Sequence, residues 1–238
     1  MTIHRFYIPP SHWNPDHLTL DEAESHHCSD VLRLRIGDRV IAFNGTGTEV
    51  AAEITLLTKR EVGLRPLFSQ STPRPAAAIT LAQAVPRGKN MDLVIQKATE
   101  LGAAEIQPLI SERTVVRLDA AEAADKQEKW QRIAIEACKQ CGQNHLPKVL
   151  PPRTLERFFS SRPGQEMLII AAIEPGARRL KELLAEWSIL HPGSAGPSSV
   201  LVLIGPEGDF TPSEVGLAKS AGCLPMSLGP IILRTETA

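Results

Sequence analysis

The chain has 238 residues, 42% of them hydrophobic, and a formal net charge of −1 at pH 7, which suits one large domain or two modest ones around an ordinary core. Near neutrality excludes a sequence-wide nucleic-acid signal, so any RNA contact has to come from local clusters of Lys and Arg. No apolar run reaches the length of a bilayer span, MTIHRFYIPP lacks the regions of a signal peptide, and four cysteines are too few for a disulfide scaffold, so a soluble, cytoplasmic protein is predicted.

In chain order, residues 20–32 read as a helix, and residues 39–43, 49–56 and 62–67 read as strands, with Asn44-Gly45 favouring a tight hairpin turn between the first two. This is a small β unit, of a size with the compact barrels that often serve as binding modules. Residues 68–76, FSQSTPRPA, have the Ser, Thr and Pro content of a linker, which places the domain boundary there and predicts domains of residues 1–72 and 73–238.

Downstream, strands alternate with helices, the pattern of an α/β domain. Residues 78–84 form a strand, VPRGKN a polar loop, and a helix opens at Asn90 with Met91, Val94, Ile95, Ala98 and Leu101 on one face and Gly102 as its stop. Residues 105–110 are a further strand. Trp130, Ile133, Ala134, Ala137 and Cys141 mark the apolar stripe of the next helix, ended by Gly142, and residues 167–171 are again strand-like. A flexible connector, residues 191–199, leads to the buried strand 200–204.

That strand runs into LIGPEGDF, where Gly205-Pro206 cannot continue it. Thr211 is then an N-cap, Pro212 suits the first helical position, and Glu214 completes a capping box. In open α/β sheets ligands bind outside the carboxyl ends of strands, and glycine lets the backbone come close to them; a plain tight turn is the alternative. A second strand end, SLGPIILRTETA, repeats the Gly-Pro break. Two such corners in one domain predict a ligand against the backbone of residues 204–208 and 228–233: Ile204, Gly205, Pro206, Glu207, Gly208, Leu228, Gly229, Ile232 and Leu233. The corner lacks a P-loop lysine, and no G-x-G-x-x-G follows the domain's first strand, so neither a phosphate cradle nor an NAD site is expected. Glu207 and Asp209 would instead suit a cationic or zwitterionic ligand with a hydrogen-bonding body. Arg234, beside Thr235 and Glu236, offers a forked donor to a carbonyl or phosphate oxygen, or else pairs with Glu236.

Cys138 and Cys141 have C-x-x-C spacing without a second pair and sit at a helix end, so they read as packing cysteines; His26-His27-Cys28 points in diverging directions along a helix, and no metal site is expected. The basic residues grouped in loops and near the linker are Arg5, Arg33 and Arg35 in the β domain and Arg87, Lys89 and Arg113 in its neighbour, the candidates for RNA contact.

Six segments, RFYIPP, RGKNMDLVIQKATELG, SERTVVRL, KWQRIAIEACKQCGQ, LIGPEGDF and LGPIILRTETA, occur in an order that resembles the RsmE family over nearly the whole chain. These are bacterial 16S ribosomal RNA uridine-N3 methyltransferases of the SPOUT superfamily. The resemblance implies a PUA-like β-barrel that helps bind RNA, a C-terminal α/β domain with a deep trefoil knot, an S-adenosylmethionine site in the knot, a homodimer, and 16S rRNA of the 30S subunit as substrate. Such a knot breaks the usual rule of chain threading and cannot be read from periodicity. With a uridine as target, Arg234 becomes the candidate to stabilise the uracil anion and Thr235 to orient the base, with Glu207 and Asp209 weaker candidates for removing the proton. Ile231 and Asp30 stand where the family often has a basic residue, and family members usually continue past RTETA into a helix. The rival readings are a non-catalytic, ribosome-associated RNA-binding protein and a small-molecule transferase.

Overall fold

Alternation of buried and exposed side chains builds the first sheet. The computed structural model describes residues 3–58, 60–114, 119–161 and 164–238, so residues 115–118 of the SERTVVRL segment lie outside the described residues. Strands β1 (Arg5–Tyr7), β2 (Leu18–Leu20), β3 (Arg39–Phe43), β4 (Thr48–Leu57) and β5 (Val62–Ser71) lie in the order β1-β3-β4-β5-β2. Only the β1–β3 pairing among them is parallel. Phe6, Leu18, Leu20, Val40, Val50 and Ile54 fill the interior. Helix α1 (Glu22–His26) is capped by Asp21, whose carboxylate accepts the Glu24 N–H at 2.8 Å, and it runs on into a single π-helical turn, His27–Val31. The turn after β3 is wider than a two-residue hairpin: Asn44 Oδ1 accepts from the N–H groups of Thr46 (2.8 Å) and Thr48 (3.1 Å), closing the loop as an Asx turn.

Two sequence expectations change here. Strand β5 continues through Phe68 to Ser71, so the first half of the expected linker is strand; Phe68 pairs with Ala51 and Ser71 with Thr48. The ladder is made by backbone, which Ser, Thr and Pro content does not report, and Pro66 is accommodated where the register shifts against β4. The chain also does not divide once. One compact unit comprises Met1–Arg74 with Ile135–Leu146, and the other comprises Pro75–Ala134 with Pro147–Ala238. Residues 135–146 belong to the first because Asn144 Nδ2 donates to Thr72 Oγ1 (2.9 Å), Arg5 donates to Asn144 Oδ1 (2.6 Å), and Lys139 pairs with Glu24.

The second unit contains β6 (Ala78–Ala84), α2 (Asn90–Glu100), β7 (Glu105–Ile110), most of α3 (Ala120–Cys141), β8 (Lys148–Val149), β9 (Arg153–Thr154), α4 (Leu155–Ser160), β10 (Met167–Ala171), β11 (Arg178–Arg179), α5 (Leu180–Leu190), β12 (Ser199–Ile204), α6 (Pro212–Ser220) and β13 (Leu224–Ser227). Its sheet is parallel, in the order β11-β13-β10-β12-β6-β7-β8, with β9 also beside β7. Successive strand residues face opposite sides. Thus Ile170 packs with Leu201, Leu203, Phe158 and Val215 in one cluster, while Ile169 packs with Met167, Leu183 and Met226 in another. Ala171 is in register with Ile204 on one side and Met226 on the other, so three neighbouring strands end level. Ligands collect at such carboxyl ends. Among the described residues no helix is long and apolar enough to cross a membrane.

Candidate active site

The three level strand ends open into a cavity of about 620 Å³, within the range that holds a drug-sized ligand. Its first wall is the corner after β12. Thr211 caps α6 and Glu214 closes the capping box, as the sequence predicts. Buried Glu214 does more than cap: Oε2 accepts the Thr211 N–H and Oε1 the Glu112 N–H, each at 2.8 Å. Glu207 Oε1 accepts the Arg87 N–H at 2.9 Å. Asp209 has a left-handed φ of 60°, and its two oxygens accept the N–H groups of Phe210 (2.8 Å) and Ile173 (3.3 Å). The Arg113 guanidinium donates to the Gly208 carbonyl.

The corner is therefore tied to the loops after β6, β7 and β10, and its carboxylates receive backbone N–H groups. This corrects the expectation that Glu207 and Asp209 are there to meet a cationic ligand. It also revises the reason for the glycines. A Cβ on Gly205 would lie 3.0 Å from Asp209 Oδ1 and 3.3 Å from Phe210 N, and one on Gly208 would lie 3.3 Å from Arg113 Cδ. The space left by the absent side chains is filled by the corner's own ties. Ile204, Gly205, Pro206, Glu207 and Asp209 line the cavity, whereas Gly208 stands outside its lining.

The second wall follows β13. The Ser227 hydroxyl bridges the N–H (3.3 Å) and carbonyl (3.4 Å) of Gly229, whose φ is 128°, and the Arg234 carbonyl accepts the N–H groups of Thr237 (2.9 Å) and Ala238 (3.0 Å). Leu228, Gly229, Ile232, Leu233, Arg234 and Thr235 all line the cavity, which brings both predicted Gly-Pro segments and both predicted reactive residues to one place. Thr235 is buried, and the Arg234 side chain is exposed. The Arg234–Glu236 ion pair is not formed; the Glu236 carboxylate instead accepts from Asn90 Nδ2 at 3.4 Å.

The third wall, Ala171 to Glu174 and Ala177 after β10, was not anticipated, nor were Asn90, Met226 and Ser227. The signal was present in the run AAIEPG, where another buried strand meets Pro175-Gly176, with Gly176 at a φ of 87°.

The basic residues part company. Arg33, itself at a left-handed φ of 55°, and Arg35 are exposed in one loop of the first unit, and Arg87 and Lys89 are exposed in the loop after β6. Arg5 is no surface cation: it pairs with Glu49 at 2.6 Å and lies over the Phe43 ring, with its side chain only 10% exposed, so its expected RNA contact is withdrawn.

Burial pushes the thiol of Cys138 up to about 12 and that of Cys28 up to about 11, as suits packing cysteines. Cys141 departs from that reading, being exposed where the apolar stripe of α3 has already ended at Cys138. His26 makes an exposed pair with Asp30 at 2.6 Å, and burial, with Lys139 nearby, holds His27 below the ordinary histidine range. Among the described residues no group of three or more His, Cys, Asp or Glu is placed to hold a metal ion.

Two family models match the chain: an RNA methyltransferase domain over residues 72–238 and an RNA methyltransferase PUA domain over residues 20–67. Among curated proteins, a ribosomal RNA small subunit methyltransferase E of Synechocystis is 33% identical over 99% of this chain and 74% of its own length. One of Bacillus subtilis is 32% identical over 90% of this chain and 83% of its own length. Among solved structures, the ribosomal RNA small subunit methyltransferase E of Neisseria gonorrhoeae bound to S-adenosyl methionine superposes with a TM-score of 0.84, at 33% identity, covering all of this chain and 93% of that one.

Proposed function

The chain belongs to the ribosomal RNA small subunit methyltransferase E family, and from that premise we propose that it methylates N3 of a uridine in 16S rRNA of the 30S subunit, using S-adenosylmethionine held in the cavity after β10, β12 and β13. The observation that carries the reading is the convergence of both Gly-Pro segments on one cavity with Arg234 and Thr235 in its lining.

The cavity suits the cofactor. Its volume is that of a drug-sized ligand site, Ala171, Ile204, Leu228 and Ile232 supply apolar contact, and the backbone of Gly205 and Gly229 supplies hydrogen-bonding groups. When bound, S-adenosylmethionine supplies an electrophilic methyl group on sulfonium sulfur. Uridine N3 carries a proton at neutral pH, so its lone pair is free to form the new N–C bond only after that proton leaves. Arg234 stabilises the charge that then spreads to O2 and O4, because its permanent charge and planar fork match a carbonyl oxygen. Thr235 orients the base. Glu207 and Asp209 already accept backbone N–H groups, which favours solvent as the proton's destination.

Arg33, Arg35, Arg87 and Lys89 are exposed cations suited to phosphate contacts. The reading also carries what the family resemblance implies about assembly and location: a homodimer in the cytoplasm, and a knotted path for the chain after β13.

Calorimetry with S-adenosylmethionine, followed by transfer of labelled methyl to 30S subunits and mass spectrometry of the nucleosides, tests the proposal. N3-methyluridine in 16S rRNA is the expected product. A protein that binds 30S subunits but no cofactor would be an RNA-binding module, and methyl transfer to small acceptors alone would make it a small-molecule transferase; either result overturns the reading.

A further inference from the structure

The short turn after β7 closes on itself and then grips the corner after β12. Ser111 N–H donates to Thr114 Oγ1 at 3.1 Å, and the Thr114 N–H returns to the Ser111 carbonyl at 3.0 Å. Held in this way, the turn presents two residues in succession to the neighbouring corner. Glu112 donates its N–H to buried Glu214 at 2.8 Å and accepts the Ser213 hydroxyl at 3.1 Å. Arg113 reaches over to the Gly208 carbonyl, and its stem lies against the bare Cα of Gly208, where an added Cβ would come within 3.3 Å of Arg113 Cδ.

These ties close a three-point clamp between the turn and the corner, and its outermost point is an arginine on the one corner residue, Gly208, that does not line the cavity. On the other side of Gly208, Glu207 and Asp209 do line it. We propose that Arg113 is a positioning residue for the cofactor: it fixes Gly208 and thereby the backbone that the cofactor meets, instead of serving chiefly as a phosphate contact for RNA. The proposal rests on the reading of the cavity as the S-adenosylmethionine site. Two physical facts favour it over a phosphate contact. A hydrogen bond from a charged donor to a loop carbonyl is worth more than a neutral one, and Gly208 has the absent side chain that the arginine stem requires.

The test uses the full chain with Arg113→Ala, Arg113→Lys and Gly208→Ala. Each is measured for cofactor affinity by calorimetry, for kcat and KM on 30S subunits, for the salt dependence of 30S binding, and for thermal stability. Arg113→Ala is expected to weaken cofactor binding about tenfold, the loss of one charge-assisted hydrogen bond, with kcat at saturating cofactor held within about twofold. The salt slope should be that of the wild type. Arg113→Lys should recover part of the affinity, since an ammonium still reaches the carbonyl but lacks the fork. Gly208→Ala, which displaces the stem while keeping the charge, should reproduce the cofactor defect in a protein that melts near the wild-type temperature. Unchanged cofactor affinity in Arg113→Ala, or a salt slope reduced by about one unit, overturns the proposal and returns Arg113 to the RNA. A wild-type protein that fails to bind S-adenosylmethionine overturns the underlying reading, and this proposal with it.

Discussion

The two Gly-Pro segments that wall the cavity are built in opposite ways. The corner after β12 is held from outside: loops after β6, β7 and β10 each contribute a group that it binds, and Gly205 and Pro206 are buried. The segment after β13 mostly bonds to itself, through Ser227 with Gly229 and Arg234 with Thr237 and Ala238. Its tie to another element is the long Asn90–Glu236 hydrogen bond, and Ile231 and Ile232 are 69% and 84% exposed. A wall ordered during folding charges its ligand no further ordering cost, whereas a wall with few ties acquires its final shape from what it meets. The first wall is thus suited to affinity and the second to the reaction, where the substrate has to enter.

The largest effect that separates the two walls is on turnover. Arg234→Ala removes the proposed stabiliser of the uracil anion from the loosely held wall and leaves the corner untouched. It should lower kcat about a hundredfold while cofactor affinity stays within a few-fold, the pattern of an interaction made in the transition state. Single-turnover transfer to 30S subunits at saturating cofactor measures it. A loss of cofactor affinity as large as the loss of turnover would mean that the second wall is as preformed as the first, and near-normal turnover would leave Arg234 with a structural role.

Glycine substitutions probe the same contrast through affinity. A Cβ at Gly205 meets Asp209 Cα and Phe210 N at 3.3 Å, backbone that is itself tied, so Gly205→Ala has to shift the corner and should weaken cofactor binding about tenfold. At Gly229 an added Cβ meets nothing within 4 Å, and only its φ of 128° resists. Gly229→Ala should therefore cost about 1 kcal/mol of backbone strain and change cofactor affinity by less than about threefold. Calorimetry and melting curves on both variants decide the matter; equal losses of affinity would erase the distinction between the walls.

Much of this site was legible because it depends on order along the chain. Strand β12, the Gly-Pro break, the Thr211 cap and the Glu214 capping box follow from local periodicity and helix-end chemistry, as do the bounds of β6, α2, β7 and β10. What the carboxylates do was not legible. Glu207 serves Arg87 and Glu214 serves Glu112, partners 120 and 102 residues away, and no local rule pairs them. The wall after β10 was missed for a related reason: a strand end gains meaning as a wall only when the sheet order sets it beside β12 and β13. The strand tail of Phe68 to Ser71 escaped because backbone pairing, not composition, makes it a strand. The return of residues 135–146 to the first unit rests on side chains, Arg5, Thr72 and Asn144, whose meeting is a property of the fold.

The smallest predicted effect decides what the corner's charge is for. Asp209 holds a left-handed φ of 60°, a conformation that Asp and Asn adopt more readily than other non-glycine residues because their side chains bond to nearby backbone. Asp209→Asn keeps that tolerance and one oxygen for the Phe210 N–H. It gives up the 3.3 Å bond to Ile173, since an amide NH2 placed there faces another donor. If the carboxylate is a tether, Asn should lower Tm by less than about 2 °C and leave cofactor affinity and kcat within about twofold. Asp209→Ala loses both bonds and keeps the strained φ, which should cost about 1–2 kcal/mol and several degrees of Tm in a protein of this size. The outcome that would break the account is an Asn variant that melts normally yet binds cofactor about tenfold more weakly or turns over about a hundredfold more slowly. Either result would show that the negative charge itself, facing the sulfonium or taking the N3 proton, is what the corner presents, and the tightly tied wall would then share in the chemistry.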